Sequence, residues 1–172
     1  MKSPKCTSTS SFWTESLAEE LLRFLTGRLK CPETAADLTH ETYLRLHQSV
    51  KRNPPDNARA LAYRIALNLA IDYQRKIKVR NRHNSDAEFD TVTETIPSTS
   101  PRPERILAGQ QRLGLLQKAL DELPPNCRTA FLLHGVEGLK YAEIAERMGI
   151  SKSMVNRLLS RALAHCTQKL NE

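Results

Sequence analysis

Midway along this chain lies a stretch that no hydrophobic core can use. NSDAEFDTVTETIPSTSPRP, Asn84 to Pro103, is rich in Ser, Thr, Pro and acid and offers only Phe89, Val92 and Ile96 for burial. Apolar residues recur at helical spacing on either side of it, and here that period vanishes. The stretch reads as a linker of about 20 residues. It divides the 172 residues into two bodies, each of which must build its own core. Charge follows the same division. Residues 1–83 carry 15 Lys and Arg against 8 Asp and Glu, residues 84–103 carry 1 against 4, and residues 104–172 carry 10 against 7. An acidic strap therefore joins two basic bodies. A basic excess favours nucleic acid or an anionic membrane surface, and alone it does not choose between them.

Both bodies read as helical, with no defensible strand and no repeat. TESLAEELLRFLTGRL places Leu17, Leu21, Leu25 and Leu29 four apart, with Leu22 and Phe24 widening the stripe. Pro32 interrupts, and Thr34 is placed to cap a second helix running to about Ser49, with Leu38, Tyr43 and Leu46 inward. Asn53 to Asn57, NPPDN, is a turn. The third helix, ARALAYRIALNLAIDYQRKIK, lines up Leu61, Ile65, Leu69 and Tyr73. Beyond the linker comes a long amphipathic helix carrying Ile106, Leu107, Leu113, Leu116 and Leu120, stopped at Pro124 and Pro125. Three shorter helices follow: CRTAFLLHGV, LKYAEIAERM and SKSMVNRLLSRALAHC. Aromatics make up only 5% of the chain, so the cores must be mostly Leu, Ile, Ala and Val.

Several classes fall away on these counts. No apolar run approaches the roughly 18 residues of a membrane span. The opening MKSPKCTSTSS lacks the apolar run of a secretory signal, so residues 1–11 read as a disordered tail and the expected location is the cytoplasm. Cys6, Cys31, Cys127 and Cys166 lie far apart in no metal-binding spacing and are expected to be structural or idle thiols. Catalysis would need clustered carboxylates for a metal, or a nucleophile beside a base. Asp37, His40 and Glu41 come nearest, and one helix face explains their spacing.

The most specific local pattern is LKYAEIAERMGISKSMVNRLLSRA, Leu139 to Ala162. A helix-turn-helix needs two helices crossing closely about a tight turn. Ala145 is small enough for the crossing, Gly149 can take the left-handed conformation that ends the first helix, and Ser151 can cap the second. Val155 then docks against Ile144 and Ala145, which exposes Lys152, Asn156, Arg157, Ser160 and Arg161. Arg and Asn are the side chains that grip guanine and adenine edges bidentately in the major groove. The expectation is a DNA-reading helix.

Two helices of the front body have opposite characters. Glu33, Asp37 and Glu41 form one acidic stripe on the second. DNA would repel it, which points to a protein partner, although acids also suit a solvated helix N-terminus; charge alone leaves both open. On the third helix Arg64, Asn68, Asp72 and Arg75 share a polar face, and RKIKVRNR places five basic residues in eight. That strip, which includes Lys76, Lys78 and Arg80, can hold a phosphate backbone, while Asn68 can hydrogen-bond an exposed base edge. Core packing accounts for Tyr73, and a structural ion pair for Asp72.

TAADLTHETYLRLH, ARALAYRIALNLAIDYQRK and LPPNCRTAFLLHGVEGLKYAEIAERMGIS, with the linker among them, resemble the bacterial extracytoplasmic-function (ECF) sigma factors of the sigma-70 family, over about residues 12–168. RLLSRALAHC and AFLLHGVEGL look like the iron-uptake subgroup, typified by the ferric-citrate sigma factor. The resemblance implies a sigma region 2 domain over 12–83, a linker over 84–103 and a region 4 domain over 104–172. It implies that the helix bearing Asp37, His40 and Glu41 docks on the β′ coiled coil of RNA polymerase. The −10 element would be engaged by Arg64, Asn68, Arg75, Lys76, Lys78 and Arg80, with the turn at roughly Arg52 to Ala58 holding a flipped base. The −35 element would be read by Lys152, Asn156, Arg157, Ser160 and Arg161. Implied partners are core polymerase, through its β′ and β subunits, promoter DNA, and a membrane-anchored anti-sigma or regulator protein, with no insertion of this chain into a membrane. Two positions depart from the family pattern: His40 stands where Gln is usual, and Asn156 where a basic residue is usual.

The expectation is thus an all-α chain of two small helical domains joined by a flexible acidic linker, the C-terminal one a helix-turn-helix. It would serve as an alternative sigma factor, possessing no catalytic residue, cofactor or metal. The alternative is an autonomous helix-turn-helix regulator that binds duplex DNA by itself.

Overall fold

The computed structural model describes residues 12–83 and 103–171, which form seven helices and no strand. The expected tail, residues 1–11, lies outside the described residues, as does the expected linker except for Pro103, which opens a helix. The chain forms two compact units, and the division falls between Gln74 and Arg75, ahead of that linker.

In the first unit, α1 (Glu15–Leu29) starts where the Thr14 hydroxyl accepts the Leu17 N–H at 3.2 Å. Its stripe of Leu17, Leu21 and Leu25 is buried. Leu22, expected to widen that stripe, is instead 37% exposed. The helix ends at Lys30, which takes a left-handed conformation (φ 59°) so that its N–H reaches the Thr26 carbonyl. α2 (Pro32–Arg52) begins earlier than expected. Pro32 occupies the first helical position, where its missing N–H costs nothing, so Thr34 lies inside the helix and is not its cap. The Thr34 hydroxyl donates to Cys31 Sγ at 3.2 Å and lies 3.2 Å from the Tyr73 hydroxyl. Leu46 is buried as expected, with Ala35 and Thr42; Thr42 satisfies its hydroxyl on the Leu38 carbonyl at 2.6 Å.

The 53–57 turn closes when Asn57 Oδ1 accepts the Ala60 N–H at 2.8 Å, starting α3 (Ala58–His83). The face that α3 gives to the first core is not the expected Leu61–Ile65–Leu69–Tyr73 row. Ala62, Ala66 and Ala70, all fully buried, meet the leucines of α1 and α2, with Leu61 and Ile65 flanking. Glu20 of α1 ties the two helices together through an ion pair with Arg59 and a bond from the Tyr63 hydroxyl at 3.2 Å.

The second unit contains α4 (Pro103–Asp121), α5 (Pro125–Gly135), α6 (Tyr141–Met148) and α7 (Lys152–Lys169). The expected apolar stripe of α4 reaches the core only near its end. Ala119 and Leu123 are buried and Leu116 and Leu120 pack beside them, whereas Leu107 and Leu113 are 57% and 64% exposed; the Ile106 side chain lies outside the described residues. α4 stops ahead of Pro124 and Pro125 as expected, but α5 opens at Pro125 itself and not at Cys127, because proline suits the first helical position. Gly149 ends α6 at φ 65°, and the Ile150 N–H returns to the Ala145 carbonyl at 3.0 Å. The Ser151 hydroxyl then accepts the Met154 N–H at 3.2 Å, and Val155 packs against Ile144 and Ala145. His134, buried, hydrogen-bonds the Leu139 carbonyl through Nδ1 at 2.8 Å, bracing the α5–α6 loop. Cys127 and Cys166 are buried as well, and burial pushes the Cys166 thiol up to about 11, an inert packing role.

The left-handed positions Lys30 and Gly149 make a stability prediction. A Cβ at Gly149 would meet nothing within 4 Å, so only backbone strain opposes it. Gly149→Ala should cost about 1 kcal/mol, and Lys30→Gly, which relieves the same strain, should gain up to about 1 kcal/mol. Opposite shifts of the urea midpoint are the expected outcome.

Candidate nucleic-acid and docking interfaces

The buried residues of α7 orient everything else on it. Val155, Leu159, Ala162, Leu163 and Cys166 face the core. Arg157 and Arg161, four residues apart, are exposed on the opposite side and form the centre of the outward face. Ser160 is half-buried there, and its hydroxyl donates to the Asn156 carbonyl at 2.8 Å, so its proton is used within the helix. Lys152 and Asn156 are exposed, yet each precedes a buried residue (Val155, Leu159) by three positions and so sits at the margin of the face. Sequence reasoning missed two residues nearer the centre, Ser153 and Met154, which lie one turn before Arg157 and are both exposed. They carry no charge and were passed over; counting back one turn from Arg157 would have found them.

On α3, Arg64 and Asn68 lie one turn apart, two residues round from Ala62 and Ala66, and so away from the alanine face. Both are half-buried, and each is engaged within the molecule. Arg75, within the second unit, is ion-paired to Glu143 and donates to the Gly138 carbonyl at 3.1 Å, so its charge is already compensated. Lys76, Lys78 and Arg80 are exposed on the last turns of the helix. The structure therefore separates a solvated basic strip from the engaged pair Arg64 and Asn68. Asp72 is exposed and also engaged.

The acidic stripe of α2 is present but shorter in charge than its sequence. Glu33 and Asp37 are exposed, while Glu41 is paired with Arg45, the next residue of the same row, at 2.6 Å. His40 is not on that row. It lines an open groove between α1 and α2 with Trp13, Ala18, Leu22, Ala36 and Tyr43. The Trp13 and Tyr43 rings meet edge-on with centroids 5.3 Å apart, and His40 and His47 flank Tyr43 at 6.3 and 5.9 Å. An acidic ridge beside an aromatic groove is suited to a protein partner rather than to a polyanion. Trp13, Leu22 and Tyr43 were not expected to line a groove; Ala18 and Leu22, a second apolar row beside Leu17 and Leu21, were the available signal.

Among the described residues no group of three His, Cys, Asp or Glu could hold a metal ion, and no helix is long and apolar enough to cross a membrane.

Comparison with known proteins finds two family matches along the chain. Residues 14–80 match the Sigma-70 region 2 family and residues 113–166 the Sigma-70, region 4 family. The ECF RNA polymerase sigma factor SigE of Mycolicibacterium smegmatis is 37% identical over 74% of this chain, which spans 48% of that protein's length. The ferric citrate uptake sigma factor FecI of Escherichia coli is 30% identical over 95% of this chain and 94% of its own length. The RNA polymerase sigma factor SigV of Bacillus subtilis is 32% identical over 84% and 81%. With the acidic α2 in the first unit, and the basic end of α3 and the arginine-bearing α7 in the second, the chain belongs to the ECF group of the sigma-70 family and is an alternative sigma factor that directs transcription.

Proposed function

We propose that this chain docks on core RNA polymerase through the α2 ridge and its groove, reads the −35 element with α7, and engages the −10 element with α3 as it melts. The observation that carries the reading is the outward face of α7, where Arg157 and Arg161 stand exposed on a helix whose start is held by Gly149, Ser151 and Val155. Two exposed guanidiniums on a rigid helix suit guanine edges in the major groove. The ridge of Glu33 and Asp37, with His40, Trp13 and Tyr43 beside it, is the docking surface for the β′ subunit, and β is engaged elsewhere on the chain. Lys76, Lys78 and Arg80 hold the strand backbone, Arg75 joins them once released from Glu143, and Asn68 with the turn at roughly Arg52 to Ala58 receives a base out of the stack. The chain acts as an initiation factor and not an enzyme: phosphoryl transfer belongs to the polymerase. It works in the cytoplasm under a membrane-anchored anti-sigma or regulator protein. Its target genes serve iron uptake, a reading supported by the end-to-end similarity to the ferric citrate uptake sigma factor.

Run-off transcription with core polymerase and a genomic promoter library tests the class. Specific transcripts only when this protein is added are expected, with iron-uptake promoters among them. Shifting of the promoter duplex by the protein without core would instead indicate an autonomous regulator.

Three substitutions test the faces. Asp37→Lys places like charge in the dock and should weaken core binding at least about tenfold with folding unchanged; a pull-down of undiminished yield defeats the ridge. Arg157→Ala should cost about 1–3 kcal/mol and relax preference at one −35 position. A uniform loss across sequences would make it a phosphate contact, with a salt slope lower by about one. Asn68→Ala should impair open-complex formation on a paired template more than on one mismatched in advance at −10, since holding an extruded base offsets the few kcal/mol, roughly, of unstacking it. Equal defects on both templates, with a lowered melting temperature, would make Asn68 a brace.

A further inference from the structure

The first turn of α7 holds a side chain that neither the core nor the charge of the DNA backbone accounts for. Met154 is 39% exposed, while the other large apolar residues near it on the helix, Val155, Leu158 and Leu159, turn partly or wholly inward. Its backbone is held in place: the Met154 N–H is the one that bonds to the Ser151 hydroxyl, at 3.2 Å, so the direction of its Cβ is set by the helix cap. Three residues on, and therefore on the same side, stands Arg157, with Arg161 one turn beyond. Ser153, its other neighbour on the outward face, has its hydroxyl 3.0 Å from that of Ser151. The result is an apolar knob at the leading end of the recognition helix, amid hydroxyls and guanidiniums.

We propose that Met154 is a specificity-determining contact that seats on the 5-methyl group of a thymine in the −35 element, beside the base pair gripped by Arg157. This rests on the reading of α7 as the base-reading helix. The first residues of a recognition helix are those that reach base edges. In the major groove every base edge offers hydrogen-bond donors or acceptors, and thymine alone adds an apolar group. A thioether has no donor and is a weak acceptor. Set against a cytosine it would strip water from an amino group and return nothing; against thymine it covers a methyl. An unbranched, polarizable side chain adapts to that contact without moving the helix. Met154 therefore selects for thymine and against cytosine at one position, a preference that Arg157 and Arg161 cannot supply.

The test uses holoenzyme, core polymerase plus the full chain, on a promoter recovered by the run-off selection. Each −35 thymine is replaced in turn by deoxyuridine, which lacks only the methyl. Wild-type holoenzyme should lose about fourfold in affinity at one such position, the factor corresponding to one buried methyl. Met154→Ala should bind the thymine promoter about that much more weakly and show no difference between thymine and deoxyuridine there. Met154→Leu should keep the difference. Because the side chain is exposed, an unchanged melting curve for Met154→Ala is expected and separates the contact from a folding defect. Equal sensitivity of wild type and Met154→Ala at every thymine, or no sensitivity in wild type, overturns the contact while leaving promoter reading intact. Absence of any transcript dependent on the added protein overturns the base-reading helix, and the contact with it.

Discussion

Alanine sets how closely the helices of both units approach. In the first unit Ala62, Ala66 and Ala70 make one smooth, fully buried face along α3, and the leucines of α1 and α2 drop onto it. In the second, Ala130 and Ala145 meet Leu133, Ile144 and Val155, while Ala119 and Ala162 let α4 lie against α7. A chain with so few aromatic residues cannot fill wide inter-helix gaps, so density near that of an organic crystal requires leucine ridges against alanine tracks. The functional faces follow from this. With alanine committed inward, Arg64 and Asn68 are carried to another side of α3, and Val155 on Ala145 turns Arg157 and Arg161 outward.

Polar groups do the finer work of fixing where helices start and stop. Thr14, Asn57 and Ser151 each accept one of the N–H groups that a helix start leaves unpaired, worth about 1 kcal/mol apiece. Glu20 joins Arg59 and Tyr63 across two helices, an internal bracing unlike the exposed pairs Arg147–Glu137 and Arg128–Asp121, which add little in water. The Glu41–Arg45 pair has a different consequence. It withdraws one carboxylate from the acidic ridge, leaving Glu33 and Asp37 as its open charge.

The helix-turn-helix was legible in the sequence because its logic is local. Gly149, Ser151 and Val155 act within a few residues of one another, and the conformation each demands is a property of the residue type. Leu17, Leu21, Leu25 and Leu46 were equally legible as core. Periodicity failed where two neighbouring rows were both apolar. Leu22 came out exposed, the inward row of α3 toward the first core was alanine, and Leu107 and Leu113 face solvent along the part of α4 that lies beyond its core. Thr34 looked like a cap, but Pro32 suits the first helical position equally well and starts the helix sooner.

The sequence by itself therefore determined the helical class, the acidic segment between two basic bodies, the helix-turn-helix and the residue types on its second helix. These depend on the spacing of apolar residues and on the backbone preferences of Gly, Pro and Ser, which act along the chain. Only the tertiary structure decided which of two adjacent rows on a helix is buried. It also decided that Glu41 is answered by Arg45, that His40 joins Trp13 and Tyr43 in a groove, and that Met154 stands beside Arg157 on the open face. Those outcomes depend on what a neighbouring helix covers, and burial is shared between elements distant in sequence, so no single element's pattern contains it.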